Sequence, residues 1–168
     1  MITIREAAPA DAKLIRTIAE DTWWPAYSDI LSAEQIRFML DEIYETDKIA
    51  TQILSGEQTY ILLCENGTEK GFAAYSPRSS EPDIYKLHKI YCLPETRGKG
   101  FGRILIDDVA ARVQRAGKAI LELNVNRFNP AKSFYEKMGF TVIYEEDIPI
   151  GPYFMNDFVM RKELGAKQ

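Results

Sequence analysis

Two periods of apolar residues alternate along the chain and divide it into short elements. Ile2 and Ile4 share one face of an alternating run from Met1 to Arg5, which predicts a strand. Pro9 and Asp11 then introduce Leu14, Ile15, Ile18 and Ala19 at helical spacing. Pro25 is expected to interrupt that helix, inside a stretch crowded by Trp23, Trp24, Tyr27 and Leu31. Ser32 with Gln35 three residues on has the form of a capping box, and Ile36, Met39, Leu40 and Ile43 mark the apolar face of the helix it opens. A β-prone run from Gln58 to Cys64, the turn pair Asn66-Gly67 and a second run from Gly71 to Tyr75 predict an antiparallel hairpin.

A polar loop from Pro77 to Pro82 precedes a strand from about Ile84 to Leu93, which leads into three closely spaced glycines. The helix after them is expected to reach about Ala116, with Leu105, Val109, Val113 and Ala116 inward, and to end at Gly117. From Ala119 to Asn126 the period is two again: Leu121, Leu123 and Val125 share one face, Glu122, Asn124 and Asn126 the other. Asn129-Pro130 supplies a cap and a first-turn proline to a short helix ending at Gly139. Phe140 to Tyr144 and Phe154 to Lys162 predict a closing hairpin joined by an acidic loop, Glu145-Glu146-Asp147. The order is strand, two helices, three strands, helix, strand, helix, two strands. No repeat, low-complexity tract or linker divides it, so one domain over 1–168 is expected.

Composition narrows the class. Of 168 residues 46% are hydrophobic and 27% charged, the mix of a soluble globular protein, and no apolar run approaches the ~20 residues of a membrane span. The amino terminus lacks the basic and apolar regions of a signal peptide, so a cytoplasmic protein is expected. A net charge of −4 argues against a nucleic-acid partner and suits a cationic one. Cys64 and Cys92 lie in apolar strand-like runs without metal spacing, which predicts buried thiols and no metal.

The glycines Gly98, Gly100 and Gly102 stand between a predicted strand and a predicted helix. Glycine lets backbone approach a ligand closely, and the free N–H groups at a helix start favour an anion, best a phosphate. A Walker loop needs G-x-x-x-x-G-K-[ST], and a dinucleotide fingerprint needs G-x-G-x-x-G with an acidic residue about 20 positions on. Neither fits the segment RGKGFGR. Arg97-x-x-Gly100-x-Gly102 does match, position by position, the [QR]-x-x-G-x-[GA] loop of the GCN5-related N-acetyltransferase (GNAT) superfamily, which holds the pyrophosphate of acetyl-CoA. A second stretch, NRFNPAKSFYEKMGF, resembles that superfamily's N-x-x-A-x-x-x-Y-x-x-x-G-F element at Ala131, Tyr135, Gly139 and Phe140. Its asparagine, Asn129, stands two residues before the alanine instead of three. The element order is also the superfamily's, so the resemblance covers nearly the whole chain.

The resemblance implies an α+β fold of three layers, α/β/α, around a mixed, mostly antiparallel sheet of about seven strands splayed between the fourth and fifth. It implies an acetyl-CoA-dependent enzyme with the cosubstrate's pantetheine arm along the main chain of Ile90, Tyr91 and Cys92. Its pyrophosphate would lie on the loop Arg97, Gly98, Lys99, Gly100, Phe101, Gly102 and Arg103, with Asn129 and Tyr135 nearby. Tyr135 aligns with the tyrosine that serves as general acid toward the departing thiolate, a role that suits a phenol at neutral pH. His88, the one histidine, is the candidate base, with an ordinary strand residue as the alternative reading. Glu122 and Asn124 are held in reserve.

The acceptor side of the superfamily draws on the first helices and the last strands. Trp23, Tyr27, Asn124 and Tyr153 are the acceptor candidates, with Tyr144 and Asp157 in the same region and core packing as the alternative for the tryptophans. Segments KLHKIYCLP, FYEKMGF and YFMNDFVMRKEL resemble bacterial acetyltransferases of the PaiA kind, which act on spermidine and spermine. The expected partner is therefore a small-molecule amine, with a peptide amine or a non-catalytic acyl-CoA sensor as alternatives. Homodimerisation stays open.

Overall fold

The computed structural model of the protein describes residues 1–165. Its elements are β1 (Ile2–Glu6), α1 (Ala12–Tyr27), α2 (Ala33–Ile43), α3 (Thr46–Ser55), β2 (Thr59–Glu65), β3 (Thr68–Pro77), β4 (Ile84–Cys92), α4 (Phe101–Arg115), β5 (Ile120–Asn126), α5 (Ala131–Lys137), β6 (Thr141–Ile150) and β7 (Tyr153–Glu163). The seven strands form one mixed sheet in the order β1-β2-β3-β4-β5-β7-β6, an α+β fold. The β4–β5 pair is parallel, whereas β1–β2, β2–β3, β5–β7 and β6–β7 are antiparallel. Two compact units divide the chain: Met1–Tyr75 with Lys89–Leu105, and Ser76–His88 with the chain from Ile106 onward. Among the described residues no helix is long and apolar enough to cross a membrane.

In the first unit, β2 carries the unbroken apolar run Tyr60 to Cys64 because both faces are covered: Ile61, Leu62 and Leu63 are all fully buried. Asn66 (φ 51°) and Gly67 (φ 83°) both take the left-handed conformation that a two-residue hairpin turn demands. The Ser32 hydroxyl accepts from the Gln35 N–H at 3.1 Å and so caps α2 as the sequence predicts.

Two expectations fail here. Helix α1 runs through Pro25 to Tyr27. The proline deprives only the carbonyl of Asp21 of its intrahelical donor, and Asp21 lies on the exposed face where water can serve it. The helix then closes with Ser28 N–H on the Trp24 carbonyl at 3.0 Å. A third helix, α3, is also absent from the predicted order. It buries only Ile49 and Gln52, a face too narrow to register as a period, and ends on Gly56 at φ 77°.

Inside this unit lies a lysine without a counter-ion. Lys89 is buried, and its ammonium donates to Gln58 Oε1 at 3.0 Å, to Gln52 Oε1 at 3.3 Å and to the Tyr60 hydroxyl. It also lies 4.9 Å from the Tyr60 ring centre and 5.6 Å from that of Tyr44. No carboxylate forms a salt bridge with it among the described residues, and burial pushes the Lys89 ammonium down to about 7.

In the second unit the parallel ladder runs from Ile84↔Ile120 to Leu87↔Leu123 and stops there, although β5 continues to Asn126. Beyond that point β5 keeps its pairing with β7, from Asn124↔Val159 to Asn126↔Asp157. The closing hairpin is longer than expected. Strands β6 and β7 pair as far as Ile150↔Tyr153, the turn falls at Gly151 (φ 59°) and Pro152, and Glu145, Glu146 and Asp147 lie within β6 and not in a loop. Alternation explains why acidic residues tolerate a strand there. Glu145 and Asp147 both meet the guanidinium of Arg127, while Glu146 meets Asn124.

Lys89 gives the fold a pH signature. Its folded-state pKa lies below the ~10.4 of an unfolded lysine, so between the two values the unfolded chain binds more protons and stability rises with pH. The unfolding free energy should climb from about pH 7 to 10 by up to ~4 kcal/mol from this group. Lys89→Met should flatten the climb. Denaturant titrations at four pH values check this, and a parent whose stability is level or falling over that range contradicts it.

Candidate active site

Strand β4 leads into the glycine loop through a tight 3-10 turn at Pro94–Thr96. The buried Thr96 fixes that turn: its hydroxyl and its N–H both bond the Leu93 carbonyl, at 2.6 and 2.9 Å. Gly98 (φ 85°) and Gly100 (φ 78°) then adopt left-handed backbone that side chains resist. A Cβ built on either would meet nothing within 4 Å, so the loop faces open space. The first bond of α4 runs from Ile104 N–H to the Gly100 carbonyl at 3.1 Å. The N–H groups of Phe101, Gly102 and Arg103 therefore precede the helical ladder and lack a carbonyl one turn back. Phe101 is buried and anchors the helix start, while Arg97, Lys99 and Arg103 are exposed. Lys99 is held against Glu65 at 3.0 Å. These residues fit a pyrophosphate: glycine backbone, open space, aligned donors and surrounding cations.

The chain of Ile90, Tyr91 and Cys92 approaches this loop in the same unit. The Tyr91 ring packs among Trp23, Tyr44 and Phe72, with ring centres 6.0 to 6.4 Å away. Burial pushes the Cys92 thiol up to about 12, so it stays protonated. One residue that sequence reasoning passed over sets the position of this strand. A Cβ on Gly71 would stand 3.0 Å from the Tyr91 carbonyl oxygen and 3.0 Å from Cys92 Sγ. The strand-interior glycine was the available signal, since such glycines mark a close backbone approach.

The second unit holds Tyr135, Asn129 and the base candidates. Tyr135 is half-buried on α5, with its ring 5.5 Å from Phe134 and 6.1 Å edge-on to Phe140. Asn129 Oδ1 accepts from the Ala131 N–H at 2.9 Å, at the start of α5. His88 is exposed near the end of the parallel ladder, with Nε2 at 2.6 Å from the Ser76 hydroxyl. Glu122 is unsuited to the base role held in reserve for it. It is 1% exposed, and its Oε1 takes both Arg78 Nη1 at 3.0 Å and Arg161 Nε at 2.9 Å.

A model of the acetyltransferase (GNAT) domain matches residues 27–156 of the chain. The chain belongs to the GNAT family. Membership makes it an acetyl-CoA-dependent N-acetyltransferase, and the match spans both units. Over 152 residues it is 29% identical to the uncharacterized N-acetyltransferase YuaI of Bacillus subtilis, covering 89% of this chain and 86% of that one. It is likewise 29% identical over 146 residues to the 5-NmdU N-acetyltransferase of Pseudomonas phage PaMx11, covering 86% and 91%. Among solved structures, the PaiA N-acetyltransferase of Thermoplasma acidophilum in complex with coenzyme A superimposes with a TM-score of 0.83 at 26% identity, covering 97% of this GNAT chain and 99% of that one.

The acceptor candidates divide between the units. Trp23 and Tyr27 are 2% and 5% exposed and pack on each other with ring centres 4.6 Å apart, inside the aromatic core of the first unit. That placement favours the packing alternative for Trp23, and Tyr27 packs with it. Asn124 and Tyr153 are half-buried in the second unit. Asn124 gathers two carboxylates: its amide donates to Glu146 Oε1 at 3.3 Å and to Asp157 Oδ2 at 3.2 Å. Burial raises the Asp157 pKa above the ordinary range, against the lowering effect of the Asn124 bond.

Gly71→Ala tests whether backbone spacing controls this GNAT site. A methyl group against a carbonyl oxygen cannot be accommodated by a rotamer change, so stability should fall by about 1–3 kcal/mol. Acetyl-CoA binding to the folded fraction should weaken as the Tyr91–Cys92 main chain is pushed aside. Denaturant unfolding and isothermal titration check the two effects, and parent-like values in both would release β4 from this constraint.

Proposed function

We propose that the chain moves the acetyl group of acetyl-CoA directly to a primary amine, with a polyamine-like small molecule as the acceptor. The observation that carries the transferase reading is the glycine loop: left-handed Gly98 and Gly100 facing open space at the start of α4, in a chain matched to the GNAT domain over residues 27–156. Both units are read as parts of one such domain, because that match crosses them.

Bound acetyl-CoA supplies an activated thioester. The chain's part is to hold and polarise it. Backbone donors at the start of α4 hold the pyrophosphate, with Arg97 and Arg103 adding positive charge. The main chain of Ile90, Tyr91 and Cys92 aligns the pantetheine arm, and an N–H there stabilises charge developing on the carbonyl oxygen. The Tyr135 hydroxyl gives a proton to the leaving sulfur, and its half-buried place beside Phe134 and Phe140 keeps the phenol fixed. His88, exposed and within reach of the Ser76 hydroxyl, is the group suited to take the proton of the incoming amine. A cytoplasmic setting fits this use of acetyl-CoA and the free thiols of Cys64 and Cys92. The polyamine preference is supported by the acidic balance of the chain and by its likeness to the Thermoplasma PaiA enzyme.

Acetyl-CoA should raise the melting temperature of the protein, and thiol release should appear with spermidine or putrescine. Tyr135→Phe should lower kcat by about a hundredfold with little change in acetyl-CoA affinity. No thermal shift with acetyl-CoA would overturn the transferase reading. Acetylation of a peptide amine while polyamines stay inert would move the acceptor to proteins, and a full rate in Tyr135→Phe would reduce Tyr135 to packing.

A further inference from the structure

Arginines neutralise several carboxylates of the second unit. Glu122 is neutralised by Arg78 and Arg161, and Glu145 and Asp147 by Arg127. Glu146 on β6 and Asp157 on β7 face one another in the ladder as direct partners, and among the described residues neither forms an ion pair. They share the single amide of Asn124, a neutral donor that cannot balance two carboxylates. Burial and the facing Glu146 work against the ionised form of Asp157, while the Asn124 bond, Lys86 and Arg127 favour it, and neither cation reaches salt-bridge distance.

The same cluster contains two polar atoms that lack any partner. Asp157 is 6% exposed, yet its Oδ1 accepts no hydrogen bond, and the Oδ1 of Asn124 is buried and equally unserved. Buried acceptors without donors are costly, so two of them on adjoining side chains are a demand for N–H or O–H groups from outside the chain. Both missing features, positive charge and at least two donors, are those of an ammonium group. A metal ion would need more ligands than this: among the described residues no group of three His, Cys, Asp or Glu is placed to hold one.

We propose that Asn124, Glu146 and Asp157 form a subsite for a non-reacting ammonium of the acceptor, which donates to Asn124 Oδ1 and Asp157 Oδ1. This rests on the reading of the chain as an amine acetyltransferase and goes further, because it assigns the residues that hold the amine not acetylated. An amine must be neutral to attack a thioester, whereas a site with two carboxylates stabilises the protonated form. The amine seated here is therefore not the one acetylated. The acceptor carries at least two amines, a diamine or polyamine, and a monoamine of equal length lacks the second contact.

The test compares putrescine and spermidine with n-butylamine, using the full-length protein. The parent should prefer the diamine in kcat/KM by about 10- to 100-fold, the range of a charge-assisted hydrogen bond. Asp157→Asn and, as the milder change at a half-buried strand position, Glu146→Gln should bring that ratio toward one, chiefly through KM. Isothermal titration of spermidine into the parent should show binding that is weakened about tenfold or more in both variants, whether or not turnover is measured. Acetyl-CoA titration accompanies each protein. Unchanged acetyl-CoA binding with an undiminished diamine preference in both variants overturns the subsite, as does a parent that binds acetyl-CoA but neither binds spermidine nor prefers the diamine. Absence of acetyl-CoA binding in the parent would overturn the transferase reading instead, and an Asp157-dependent binding of spermidine would still support the subsite.

Discussion

The structure depends on where one parallel ladder ends. Strands β4 and β5 exchange hydrogen bonds from Ile84↔Ile120 to Leu87↔Leu123, and from there each is committed to other partners. Beyond it, β5 is paired with β7 alone. The β4 side chains past His88 belong to a different core, with Lys89 on Gln52, Gln58 and Tyr60, and Tyr91 among Trp23, Tyr44 and Phe72. Gly71 reinforces the arrangement by letting the Tyr91 carbonyl sit within 3.0 Å of its Cβ position.

The arginines of the second unit decide which carboxylates are structural. Two guanidinium groups converge on the buried Glu122 and occupy its carboxylate within the fold. Arg127 takes Glu145 and Asp147 from one face of β6 and leaves Glu146 on the other. The period of two along a strand separates acidic neighbours into paired and unpaired sets, so a run that looks like a solvated loop in sequence becomes a charge-sorting device. In the first unit the same problem is met without charge: Lys89 is buried against amide and hydroxyl oxygens and two aromatic rings.

Much of this was fixed by short-range chemistry and could be read from residue order. Apolar periods, β-prone runs and cap residues marked the seven strands and four of the five α-helices among the described residues, because all three are local consequences of burial and backbone preference. The Asn66-Gly67 turn, the Ser32 cap and the left-handed glycines of the loop followed from φ and hydrogen-bond preferences that need no tertiary context. The family was legible for the same reason: its loop is a backbone device, and backbone devices leave glycine signatures. Tertiary structure alone decided the rest. Whether Trp23 and Tyr27 line a site or a core, whether Glu122 is free, which acidic residues are neutralised and why β3 needs a glycine at 71 all depend on side chains distant in sequence. Pairing of charges and exclusion of water are properties of three-dimensional neighbours, and the order of residues along the chain does not carry them.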